Sequence, residues 1–359
     1  MRAFRVYPGR TTRPGDRRRR TAGGRRTALK KRIAARILAL SGLGRLLAAV
    51  APPSGILILN YHRIGDGSSS PYDRELWSAD AEAFDAQMAR LARDCDVISP
   101  ADIDTVAGRR GRHVLVTFDD GYLDNYEVAY PILRRHGLPA TFFIATGFID
   151  RPRLPWWDEI AWRIRTTAAA RLDLRPWLPE PLAPTRGPDA AIGAILRAYK
   201  ALPADEAARM LERLRAETGQ ETPERVDGLW MDWNQIREMA AGGMTIGGHT
   251  VDHPVLSRLP LERQRDEIET CAARILAETG RPMHYFAYPV GSTWAFDEGT
   301  RACLEAVGVK RAFSYYGGHA AVDSPRFDTP RMAMERYVGM HDLGAMLWMP
   351  RLFCKFDPA

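Results

Sequence analysis

Val114-Leu115-Val116-Thr117-Phe118-Asp119-Asp120-Gly121-Tyr122 is the stretch on which the fold turns. Five residues suited to a strand covered on both faces run directly into two adjacent carboxylates and a glycine. Similar short β-branched or aromatic runs occur at Ile56–Asn60, Ala140–Ala145, Met244–Gly247, Tyr285–Pro289 and Arg311–Tyr315. Helical patterns fill the gaps. One begins after Asp80, a good N-cap, and carries Phe84, Met88 and Leu91 on one face. Another runs from Leu261 to Glu278, with Ile268, Ala272, Ile275 and Leu276 expected inward and Arg263, Arg265 and Glu267 outward. Strands alternating with helices in this way predict βα units around a parallel sheet or barrel.

A chain of 359 residues with 45% hydrophobic residues can bury one large core or two modest ones. Its net charge of +7 is uneven: residues 1–32 alone carry +12, which leaves −5 for the remainder. This basic stretch reads either as a solvated, disordered tail or as an arm that touches an anionic membrane; no specific nucleic-acid contact is expected. Residues 33–54 read as a short amphipathic helix and linker, because Arg36 and Arg45 interrupt the apolar run before it reaches the length of a membrane span. The expected location is cytoplasmic or membrane-peripheral. Cys95, Cys271, Cys303 and Cys354 are widely spaced and suggest neither a disulfide framework nor a thiolate metal site.

Residues 151–232 show no sheet pattern and read as a helical insertion near the face where barrel loops gather. Trp156, Trp157 and Trp162 in this segment either anchor the insertion by burial or stack on sugar rings.

Taken alone, Asp119-Asp120-Gly121 reads as only a turn with Gly121 at positive φ. The strand ahead of it supports a different reading, since carboxylates at the C-terminal end of a parallel strand stand where α/β barrels build active sites. Two acids this close resist joint ionisation unless a positive group compensates them. A second signal is Gly247-Gly248-His249-Thr250-Val251-Asp252-His253-Pro254. One helical turn would aim His249 and His253 at a common point. With Asp120 they offer two nitrogens and one oxygen, a set that suits Zn²⁺, Co²⁺ or a similar divalent ion and leaves positions open.

The TFDDG stretch, then His249 and His253 flanking Thr250, then Phe286-Ala287-Tyr288-Pro289-Val290-Gly291, in this order, resemble the polysaccharide deacetylase family, whose members share the NodB-homology domain of carbohydrate esterase family four. The resemblance implies a distorted (β/α) TIM-like barrel over residues 55–345, with 346–359 as a C-terminal tail. It further implies a divalent metal on Asp120, His249 and His253, with Asp119 as general base toward a metal-activated water. The activity it implies is removal of N-acetyl groups from a polysaccharide or glycan precursor, so the partner is an N-acetylated glycan. Tyr288, Pro289 and Val290 then shape the oxyanion site, the donor being a backbone N–H at or near Val290.

This chain departs from the family pattern twice. Many members carry an Arg where Ala287 stands, and Arg331 in Thr329-Pro330-Arg331-Met332 is the candidate substitute; the competing reading is an ordinary surface Arg. The usual C-terminal His element is also missing, for Met340-His341-Asp342 sits where a helix cap is natural and follows no strand. Instead Asn60-Tyr61-His62-Arg63 resembles an element of exopolysaccharide-type deacetylases, which makes His62 the candidate general acid; the competing reading is a structural His. Two rival functions share these residues: hydrolysis of a small amide or cyclic imide, and a carbohydrate-binding protein without catalysis. Keeping a base such as Asp119 beside a metal ligand argues against the second.

Overall fold

The computed structural model describes residues 55–321 and 323–350. The expectations for the tail 1–32, the helix and linker 33–54 and Cys354 lie outside the described residues. Eight parallel strands form the barrel: β1 (Ile56–Tyr61), β2 (His113–Phe118), β3 (Thr141–Ile144), β4 (Thr245–Gly248), β5 (Tyr285–Ala287), β6 (Arg311–Ser314), β7 (Thr329–Pro330) and β8 (Met332–Ala333). In space their order is β7-β6-β5-β4-β3-β2-β1-β8, and the short strand Asp96–Val97 pairs with the start of β2. Every step is parallel, as βα connections require.

Closure happens across one residue. Thr329 and Pro330 pair with β6, Met332 and Ala333 pair with β1, and Arg331 lies between them. The sheet's two edges are thus covered by one continuous segment, which leaves Arg331 at the seam.

All six residues of β1 and of β2 are buried, and the strands run in register from Ile56↔His113 to Tyr61↔Phe118. That register sets the C-terminal ends of both strands side by side. The core beneath them includes the stacked pair Phe118–Phe142, with ring centroids 4.7 Å apart. Helix Ala81–Asp94 buries Phe84, Met88 and Leu91, and the Asp80 carboxylate accepts the Ala83 N–H as an N-cap. Helix Leu261–Thr279 departs from expectation: it buries Gln264, Ile268, Cys271 and Ile275, whereas Leu276 is 49% exposed. Leu276 lies one residue, or 100°, past the stripe that faces the barrel. The boundary at 345 is also corrected, because helix Met340–Trp348 continues the domain by burying Met346, Leu347 and Trp348.

The insertion is helical, with helices at Trp156–Thr166, Pro188–Ala201 and Ala204–Thr218 around a small core of their own that includes Ile160, Ile164, Ile195 and Leu214. It is tied to the barrel through Asp158, whose carboxylate accepts the Tyr122 hydroxyl at 2.8 Å and the Asp73 N–H at 2.9 Å. Burial pushes the Asp158 carboxyl up to about 7. Among the described residues Cys95, Cys271 and Cys303 are free thiols, and no helix is long and apolar enough to cross a membrane.

Candidate active site

Asp119 and Asp120 leave the C-terminal end of β2, His249 and His253 the end of β4, and Tyr288-Pro289-Val290 the end of β5. Gly247 in β4 permits this arrangement, because a Cβ there would stand 2.8 Å from the Tyr285 carbonyl oxygen and 2.6 Å from the Phe143 ring. Among the described residues, the non-glycine positions with positive φ are Asp120, Thr250, His253 and Val290, all in these three loops. Left-handed backbone at such residues costs on the order of 1–3 kcal/mol each, and strain of this kind gathers where surrounding structure enforces a geometry for function.

His249 and His253 do not share a helical turn, as their spacing suggested. They sit in an irregular loop whose left-handed residues, Thr250 and His253, bring both imidazoles to the same side. Glu267 holds the loop by accepting the N–H groups of Val251 and Asp252 at 2.8 and 3.0 Å. The His249 Nδ1 lies 2.7 Å from the Ala287 carbonyl oxygen, which can only accept. The ring proton therefore stays on Nδ1, and Nε2 presents its lone pair.

Asp120 Oδ1 is buried without a hydrogen-bond partner, 3.4 Å from Nε2 of His249 and 3.5 Å from Nε2 of His253. These are close to the roughly 3.3 Å edges of a tetrahedron with 2.0–2.1 Å bonds, the coordination Zn²⁺ adopts with N and O donors. The orphaned oxygen and the two nitrogens fit a divalent cation. Burial opposes charge on His249, but the Asp119 and Asp120 carboxylates outweigh it and raise its pKa. His253, also buried and facing His249, is pushed down to about 3. Replacing His249 or His253 with Ala should remove the metal and turnover together. Full occupancy by elemental analysis in the double variant would sink the ligand assignment.

Arg331 is buried, not a surface residue. Its Nη1 and Nη2 donate to Oδ1 and Oδ2 of Asp119 at 2.7 and 2.8 Å, a two-pronged pair with no exposed edge. Burial alone would raise the Asp119 pKa, yet the Arg331 guanidinium and His249 hold it well below the usual carboxylate range. Asn60 completes the cluster and was not singled out by its sequence. Its Nδ2 donates to Asp119 Oδ2 at 3.1 Å, while its Oδ1 accepts Arg331 Nη1 at 2.6 Å and Thr117 Oγ1 at 2.7 Å. A lone amide in the apolar run Ile56–Tyr61 was the available signal, since a buried polar group needs partners.

His62 follows β1 and lines the same cavity, of about 270 Å³, as Asp119, Asp120, His249, His253, Tyr288 and Val290. Ser78 Oγ accepts its backbone N–H and Asn125 Nδ2 donates to its carbonyl, which fixes the backbone from both sides. The Tyr288 hydroxyl is committed to the Phe327 carbonyl, so Tyr288 shapes the wall rather than donating inward. Val290, left-handed at φ 63°, makes no backbone hydrogen bond through its N–H among the described residues. That N–H is free to serve an oxyanion. The insertion supplies the remaining wall: Trp157 is buried 4.4 Å from the His253 ring, and Trp156 donates its Nε1–H to the His253 carbonyl while exposing part of its ring to the cavity. Both therefore anchor and line, Trp157 being buried and Trp156 only partly so.

A parallel barrel with a buried Asp–Arg pair and an Asp and two His that could hold a metal ion on its C-terminal rim defines a class of α/β-barrel hydrolase folds. Residues 107–312 match the polysaccharide deacetylase family, to which this chain belongs. A curated relative, the putative polysaccharide deacetylase YxkH of Bacillus subtilis, is 33% identical over 97 residues; the alignment covers 26% of this chain and 32% of that protein. The chain thus spans about a third of the length of the curated relative it matches. Among solved structures, the Streptococcus pyogenes deacetylase PplD in complex with acetate aligns with a TM-score of 0.54 at 18% identity, covering 81% of this chain and 97% of that one. IcaB from Ammonifex degensii gives 0.52 at 20% identity, covering 83% and 98%. At these identities the two structures establish the shared barrel fold.

Proposed function

We propose that this chain is a divalent-metal-dependent hydrolase that removes N-acetyl groups from a polysaccharide or glycan precursor. The observation that carries the reading is the convergence of the Arg331–Asp119 pair, the Asp120–His249–His253 set and His62 on one cavity. A cation held by Asp120, His249 and His253, whether Zn²⁺ or Co²⁺, would supply Lewis acidity to an acetamide carbonyl and to water. Asp119, kept ionised by Arg331, accepts a proton from the attacking water. The Val290 N–H donates to the oxyanion that develops on the former carbonyl oxygen. His62 then gives a proton to the departing amine nitrogen.

The decisive experiment is acetate release from a panel of N-acetylated glycans, with a cyclic imide and a small amide as comparators. Release from the comparators alone would replace the glycan reading. His62→Ala should keep metal and fold, yet lose about 10²-fold or more in turnover on acetamides, the scale of a positioned acid. Its loss on esters with good leaving groups should be smaller, because those depart without a proton. Equal losses on both would leave His62 a positioning role only.

The +12 charge of residues 1–32 further supports contact with an anionic membrane surface. Deleting them should weaken co-sedimentation with phosphatidylserine vesicles while acetate release from a soluble glycan persists. Loss of that release would mean the segment belongs to the folded domain.

A further inference from the structure

Lys200 belongs to the insertion helix Pro188–Ala201 and lines the same cavity as Asp119, Asp120 and His62. Its ammonium lies 5.8 Å from the centroid of the Trp156 ring. Among the described residues Lys200 forms no ion pair. Burial pushes its pKa down, and Asp73 and Asp120 counter this without touching it.

Most other charges of the cavity are engaged; the exception is Glu335, which lines it without an ion pair among the described residues and is a second carboxylate within the same lining. Asp119 is bound by Arg331 on both oxygens. Asp120 faces the two imidazoles. Asp73 accepts the Glu75 N–H, and burial raises its pKa, so it is a weak counter-charge. Glu75 reaches out to Arg336 at 3.4 Å. A half-buried ammonium without a contacting anion carries a desolvation cost in the free protein. An indole face offsets part of that cost, and an oxyanion brought by a ligand would offset far more. Sugar hydroxyls could also accept from Lys200, but they would leave its charge uncompensated.

We propose that Lys200, beside the Trp156 indole, forms a subsite for an anionic group, a carboxylate or a phosphate, carried by the substrate on or next to the N-acetylated sugar. The proposal rests on the deacetylase reading for its substrate but not for its binding chemistry. It makes the insertion, rather than the barrel, the determinant of which glycan enters.

The test is calorimetric binding to the full metal-loaded chain of three probes: N-acetylglucosamine, N-acetylglucosamine 1-phosphate, and a disaccharide of glucuronate and N-acetylglucosamine. Wild type should bind at least one charged probe about tenfold more tightly than the neutral one, the scale of one charge-assisted contact. Lys200→Met should abolish that preference and Lys200→Arg should retain most of it. Lys200→Met should also raise the urea midpoint of the ligand-free protein, since a half-buried charge without an ion pair is removed; Lys200→Gln serves as a second neutral variant if Lys200→Met is poorly soluble. Which charged probe is preferred identifies the source of the anion. Equal binding of charged and neutral probes, or a charge preference that survives in Lys200→Met because the metal alone provides it, would overturn the subsite. Absence of acetate release from every glycan by wild type, with a Lys200-dependent preference intact, would instead remove the hydrolase reading and leave the subsite standing.

Discussion

Arg331→Met should destabilise the protein by about 3–5 kcal/mol at neutral pH, the usual scale for removing one partner of a buried ion pair. Arg331 is fully buried and Asp119 is 3% exposed, so a cavity water can replace the two charge-assisted hydrogen bonds only in part. The sign of the pH dependence follows from Asp119. In wild type its pKa is depressed, so the pair's contribution is present above the unfolded value of about 3.9 and lost as pH falls through the lower folded value. Without Arg331, burial dominates and raises the Asp119 pKa, so the variant can relieve its buried charge by taking up a proton. The stability gap between the two proteins should therefore be widest at neutral pH and narrow as pH falls toward 4. Urea unfolding across that range measures it. The double variant Arg331→Met with Asp119→Asn should recover a large part of the loss, because no uncompensated charge remains. A gap below about 1 kcal/mol, the range of exposed pairs, would mean that the pair is not desolvated in solution.

Asp119→Asn should lower turnover by about 10² or more while metal content stays near that of wild type. Both Asp119 oxygens are turned to Arg331, and Oδ2 lies 4.0 Å from His249 Nε2, whereas Asp120 Oδ1 is closer to both imidazoles. On the proposed roles, the substitution removes the proton acceptor without removing a ligand. Asn can still accept from Arg331 through its amide oxygen, but the guanidinium loses its counter-charge, so rates must be taken on the folded fraction. Collapse of metal content in this variant would mean that the two aspartates exchange roles.

What the sequence by itself determined was local. The apolar runs ending at Tyr61, Phe118 and Ala287 are buried on both faces, and that burial forces them to be strands of a covered parallel sheet whatever their partners. Because side chains that end such strands gather on one rim, Asp119, Asp120, His249, His253 and Val290 could be read as one group before any contact was known. Spacing within a single loop or helix carried less. The two histidines converge through left-handed residues rather than a helical turn, and Leu276 falls outside the buried stripe by one step of the helix.

Only the tertiary structure decided how the charges of this rim are compensated. Arg331 reaches Asp119 across 212 positions because β7 and β8 close the barrel on either side of it, and no local pattern encodes that register. Asn60 joins them because β1 and β2 pair with Asn60 opposite Thr117. Lys200 and Trp156 enter the cavity because the insertion folds back over the rim, an outcome set by packing between segments distant in the chain. Strand formation responds to the hydrophobicity of a few consecutive residues, whereas the pairing of buried charges depends on which distant segments the closed barrel brings within about 3 Å.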